Sequence, residues 1–73
     1  MGKLKAVSEV SGSVWKIEVT VGQSVAEGDI LVLIESMKME IPVVAEAAGK
    51  VDAILVAEGE AIVEGQSVAL LET

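Results

Sequence analysis

Residues 6–36 read AVSEVSGSVWKIEVTVGQSVAEGDILVLIES, and residues 43–73 read VVAEAAGKVDAILVAEGEAIVEGQSVALLET; a shift of 37 positions lays one on the other. Under that shift Gly12 falls on Gly49, Gly22 on Gly59 and Gly28 on Gly65. Val7, Val14, Ile17 and Val19 fall on Val44, Val51, Ile54 and Val56, and Leu33-Ile34-Glu35 falls on Leu70-Leu71-Glu72. A glycine that recurs at a fixed interval signals the same turn or close backbone approach built twice. The chain therefore reads as one domain, 1–73, holding two copies of one half, 6–36 and 43–73.

Each copy carries short runs rich in Val and Ile, broken by glycine-containing turns, a pattern of strand and not of helix. Strands are expected at 4–8, 13–19, 31–36, 39–44, 50–56 and 68–72, with shorter ones near 24–25 and 61–62. Sharp turns are expected at 21–24, 27–29, 58–61 and 64–66, where each stretch holds one of the paired glycines. Four strands per half, repeated, give an all-β fold: two four-stranded antiparallel sheets packed as a flattened barrel-sandwich with quasi-twofold symmetry. Trp15 either caps the core or lies on the outer face; the apolar alternation around it is too irregular to choose.

Composition narrows the chemistry. The chain has neither cysteine nor histidine, which removes thiol redox chemistry, the commonest general base and the commonest metal ligand. No catalytic residue and no metal site is expected, and an autonomous enzyme is a poor fit. Twelve acidic residues against five lysines give a formal charge of −7, which repels phosphate backbones. Nucleic-acid binding is thereby disfavoured, as is membrane insertion, since no apolar run approaches the length of a span. A monomer in the cytoplasm is the expectation.

The two copies leave Met37 to Pro42 as their link, within Glu35-Ser36-Met37-Lys38-Met39-Glu40-Ile41-Pro42. With strands on both sides there is almost no room for a loop, so Lys38 is expected at a tight turn. A twofold relating the copies then puts the chain ends opposite Lys38. Methionine on both sides of an exposed lysine is unusual, because turns favour Gly, Asn, Asp, Ser and Pro. Met37 and Met39 either tuck onto the sheet ends as adaptable filler or form a soft recognition surface for a partner that handles Lys38. Glu35 and Glu40 either steer a basic partner or are simply solvated charges at strand ends.

Glu35-Ser36-Met37-Lys38-Met39 resembles the Glu-Ala-Met-Lys-Met signature of the biotinyl/lipoyl attachment domains, in the form carried by biotin carboxyl carrier domains. The stretch from Val25 to Leu31 and Gly49-Lys50-Val51 also resemble that family, so the resemblance covers nearly the whole chain. Ser36 stands where the signature usually has alanine, and Glu46 and Val10-Ser11 depart from proline-containing turns. No inserted segment corresponds to a protruding thumb, so the chain is similar to the thumbless carriers and to freestanding biotin/lipoyl attachment proteins.

The resemblance implies a non-catalytic carrier of a biotin-dependent carboxylase, decarboxylase or transcarboxylase system. Lys38 would hold covalent biotin, attached by a biotin protein ligase that recognises Glu35, Ser36, Met37, Met39 and Glu40. The arm would then shuttle a carboxyl group between biotin carboxylase and carboxyltransferase partners. Two alternatives stay open: lipoic acid on Lys38, attached by a lipoyl ligase alone or in addition, and an unmodified β-module for protein contacts.

Overall fold

In the computed structural model the Val- and Ile-rich runs become eight strands, with no helix among the described residues, 2–73. They are β1 (Lys3–Val7), β2 (Gly12–Ile17), β3 (Ser24–Val25), β4 (Ile30–Ser36), β5 (Met39–Val44), β6 (Gly49–Ile54), β7 (Ala61–Ile62) and β8 (Ser67–Glu72). Two four-stranded sheets result, ordered β1-β8-β6-β3 and β5-β4-β2-β7, with every pairing antiparallel. The shift of 37 carries β2 onto β6 and β3 onto β7 residue for residue, and β1 onto β5 and β4 onto β8 to within one residue. It also converts the strand order of the first sheet into that of the second. Each sheet thus takes two strands from each copy, and neither copy makes a sheet by itself.

The core lies between the sheets and obeys the same twofold. Leu31, Val32 and Ile34 of β4 are fully buried, and so are their equivalents Val68, Ala69 and Leu71 of β8. Each large member of this set contributes about 1.5–3 kcal/mol by leaving water. Val14 and Val51 complete the layer from β2 and β6. Ser8 is the buried polar residue; its Oγ donates to the Val10 carbonyl at 2.6 Å and accepts from the Val10 amide at 3.3 Å.

Four turns of one design connect the strands. In the first, the Gln23 amide donates to the Thr20 carbonyl at 3.1 Å, and the Gln23 side chain accepts from the Thr20 amide at 3.1 Å. Gly22 sits at φ 93°, the third position of a type II turn, which a side chain would strain. The turns closed by Asp29, Glu60 and Gln66 repeat the pattern. They also stitch the copies together: the Gly22 amide donates to Val51 and the Gly59 amide to Val14, the same contact in both directions.

Where the sequence reading and the ladder differ, the reasons are local. The strands expected at 13–19 and 50–56 end at Ile17 and Ile54. Val19 and Val56 remain buried beyond them because the chain curls inward before its turn. The first strand ends at Val7, since Ser8 folds its hydroxyl back on Val10. Trp15 is the extra residue of a β-bulge, skipped between Val14 opposite Ile34 and Lys16 opposite Leu33. That bulge breaks the alternation and turns the indole to the outer face, where it is 49% exposed.

Candidate functional site: the Lys38 hairpin

Strands β4 and β5 pair from Ile30 opposite Val44 up to Ser36 opposite Met39, leaving Met37 and Lys38 as a two-residue connection. Their φ values, 52° and 65°, are the left-handed pair of a type I′ turn. This turn matches the twist of the strands it joins, and Asn-Gly is its preferred sequence. Met37 and Lys38 are the non-glycine residues with positive φ among the described residues. An ordinary side chain in that conformation costs about 1–2 kcal/mol. Strain held at one apex, while the four glycine turns avoid it, makes the apex the candidate site.

The turn projects its side chains away from the barrel. Met37 is 92% and Met39 61% exposed. The filler alternative does not hold for Met37, whose side chain stands at φ 52° on a turn apex with no sheet end to cover; Met39, the first residue of β5, is more exposed than buried. Lys38 is exposed and makes no ion pair among the described residues. Ser36 anchors the base, its Oγ donating to the Ser11 carbonyl at 2.8 Å. The Ser11 hydroxyl in turn accepts from the Glu64 amide at 3.0 Å, tying the hairpin to the neighbouring turn. Gly12 lies so close to the Glu35 carbonyl that any Cβ there would collide with it. Ser11 and Gly12 thus position the hairpin; the recurrence of Gly12 at Gly49 had pointed to a turn or a close backbone approach, and the close approach is what the structure shows.

Glu35 and Glu40 stand directly opposite each other on β4 and β5, both exposed and neither ion-paired among the described residues. Like charges in such a pair destabilise a sheet, so this pair costs stability. Its field draws cations toward the base of the hairpin. The twofold equivalent of the Lys38 apex is taken by the chain ends, where Gly2 and Thr73 exchange backbone hydrogen bonds of 3.1 and 3.0 Å. Among the described residues no group of three or more carboxylates could hold a metal ion, and no helix is long and apolar enough to cross a membrane. What this geometry offers chemically is one unpaired primary amine on a stiff, solvent-facing apex.

A flattened two-sheet barrel with quasi-twofold halves and a free lysine at the joining hairpin is the build of a prosthetic-group carrier domain. The chain belongs to the biotinyl/lipoyl family whose model is described as "Biotin-requiring enzyme", which matches residues 4–71. It is 51% identical over 37 residues to the biotinylated protein TB7.3 homolog of Mycobacterium leprae, an alignment covering 51% of this chain and 52% of that protein. The biotin/lipoyl attachment protein of Bacillus subtilis is 42% identical over 36 residues, covering 49% of each chain. The chain thus spans about half the length of the curated relatives it matches. Among solved structures, Kluyveromyces lactis urea carboxylase matches 99% of this chain with 6% of its own, at TM-score 0.94 and 36% identity. A single-chain, multi-domain long-chain acyl-CoA carboxylase matches 94% of this chain with 7% of its own, at TM-score 0.89 and 25% identity.

Proposed function

We propose that Lys38 is the attachment point of a biotinyl group, and that the module, taken as the whole of 1–73 with its repeats 6–36 and 43–73, carries a carboxyl group between partner active sites. The observation that carries this reading is the unpaired amine of Lys38 on a strained type I′ apex, between two exposed methionines. The surroundings fit the group: the amine is in solvent, no carboxylate ties it down among the described residues, and the stiff turn keeps it off the barrel.

Attachment needs an activated biotin carboxylate, made and presented by a biotin protein ligase as an adenylate. Lys38 Nζ would hold the group through an amide with that carboxyl, AMP and the proton from the nitrogen being released. The lysine charge disappears in the amide. Once bound, biotin supplies a group that accepts a carboxyl in one active site and donates it in another. This chain's own residues present and tether the arm, raising its local concentration at partners of the biotin carboxylase and carboxyltransferase kind. Ser36 holds the base of the hairpin, Met37 and Met39 give the ligase apolar contact, and Glu35 and Glu40 draw its basic residues. Catalysis stays with the partners.

A lipoyl group on the same amine is the second reading, favoured by the similarity to a Bacillus subtilis protein named for both attachments. A lipoyl ligase would then replace or accompany the biotin ligase. The net charge of −7 supports a monomeric carrier, and the ligase chemistry supports a cytoplasmic one. Lys38→Arg keeps the charge and removes the acylable amine, so the wild-type chain should bind streptavidin after expression with ligase and the variant should not. Equal capture of both would overturn the assignment of Lys38. Capture of neither, with competent ligases present, would exclude biotin, and the intact mass would then separate a lipoylated chain from an unmodified β-module.

A further inference from the structure

The quasi-twofold makes the molecule its own control, because the outer faces of its two sheets share one backbone plan and differ in side chains. On the first sheet, Lys3 Nζ lies 2.7 Å from Asp52 Oδ2 and 3.6 Å from Glu72 Oε2. The shift of 37 turns Lys3, Asp52 and Glu72 into Glu40, Trp15 and Glu35 on the second sheet. An ion-paired lysine at one end thus has as its counterpart two unpaired carboxylates and an indole at the other. The same shift turns Lys5 into Pro42 and Ser67 into Ile30.

Register places these replacements together. Ile30 pairs with Val44, and Leu33 pairs with Pro42 on one side and Lys16 on the other, next to the Trp15 bulge. Trp15, Ile30 and Val44 are 49%, 42% and 39% exposed, Pro42 is exposed and Leu33 half-buried. Trp15, Pro42 and Ile30 thus stand where the first face has Asp52, Lys5 and Ser67, while Val44 and Leu33 match apolar Val7 and Leu70 and Lys16 borders the row. Apolar side chains exposed where the equivalent face is polar mark a surface that meets a partner. Its upper border is the Glu35–Glu40 pair, directly below the Lys38 turn.

We propose that this face is the docking surface for the biotin protein ligase, through an apolar patch on the ligase edged by arginine or lysine; the proposal rests on the reading of Lys38 as the attachment site. Charge selects the occupant. A second copy of this chain would set its own Glu35 and Glu40 against these, at −7 per molecule, and an anionic membrane is repelled in the same way. A guanidinium is held by both carboxylates and by the indole face. Reach selects the ligase: the Leu33 row lies three residues below Ser36, about 10 Å at roughly 3.3 Å per residue. An enzyme seated there meets the Lys38 amine at its own rim. A partner that receives the finished arm gains its reach from the arm and has no need of this face.

The test exchanges one face for the other. Trp15→Asp, Pro42→Lys and Ile30→Ser, combined, install the residues that the first sheet already carries at the equivalent positions. The expected result is an unchanged rate of Lys38 acetylation by a small activated ester, and a rise of at least tenfold in the KM of the ligase for the chain, with kcat nearly unchanged. Lys5→Ala, on the opposite outer face, should leave both constants as in the wild type. In the unmutated 15N-labelled chain, the Trp15 indole resonance should shift or broaden as unlabelled ligase is added. A folded triple variant biotinylated with wild-type kcat/KM would overturn the proposal. So would an unperturbed Trp15 indole while the amides of the Lys38 turn respond. A wild-type chain that the ligase never modifies would instead sink the attachment reading, and this proposal with it.

Discussion

Replacing Met37-Lys38 by Asn-Gly tests the strain at the hairpin apex. Both native residues occupy positive φ, 52° and 65°, and each such residue costs about 1–2 kcal/mol. Asparagine tolerates the conformation better and glycine adopts it freely, so the double replacement relieves about 2–3 kcal/mol. The added glycine returns about 0.5–1 kcal/mol through the greater freedom of the unfolded chain. Little else changes: Met37 is 92% exposed, and Lys38 makes no ion pair among the described residues. The net gain is about 1–2 kcal/mol, and at about 4–8 °C per kcal/mol for a chain of this size the Tm should rise by roughly 5–15 °C. Calorimetry measures the rise, and a higher urea midpoint with an unchanged m value shows that stability itself has changed. The stabilised variant should accept no biotin. An unchanged or lower Tm would refute the claim that the apex stores strain for the sake of its lysine.

Three further outcomes follow from the same geometry. Gly12→Ala and Gly49→Ala each push a Cβ against a carbonyl, of Glu35 and Glu72 respectively, and should each cost about 1–3 kcal/mol by thermal unfolding. Only the Gly12 change should also slow ligase modification, because Glu35 leads into the Lys38 turn. Glu40→Lys converts the Glu35–Glu40 pair into the arrangement Lys3 makes with Glu72 and should raise stability by about 0.2–1 kcal/mol, an effect that shrinks in high salt. The Lys3 pKa is raised above its ordinary 10.5, chiefly by its hydrogen bond with Asp52. Its contribution is therefore complete below pH 10.5 and fades as pH rises through the folded value. The urea midpoint should fall in that alkaline window, and fall less in Lys3→Met.

The repeat made most of the fold readable, since glycines and Val/Ile runs that recur 37 residues apart mark turns and strands that the structure builds twice. The 39–44 strand and both two-residue strands matched the sequence reading. Bulges resisted it. Trp15, Asp52 and Leu31 are each skipped in a ladder, which shifts the inside-outside phase by one residue and hides the alternation on which a strand reading relies. Lys38 was visible from its neighbours, but its left-handed backbone was not, because Met-Lys carries none of the Asn-Gly chemistry that announces a type I′ turn. Ser11 went unremarked as a support for the hairpin because its two hydrogen bonds join residues 25 and 53 positions away.

The central claim is that Lys38 carries the prosthetic group. Its most direct test is the intact mass of the chain expressed with biotin and lipoate ligases, followed by peptide mapping. The account predicts the mass of one biotinyl group, located on the peptide containing Lys38 and absent from Lys38→Arg. A lipoyl group at Lys38 would keep the carrier and change its cargo, whereas an unmodified Lys38 in the presence of active ligases would contradict the account.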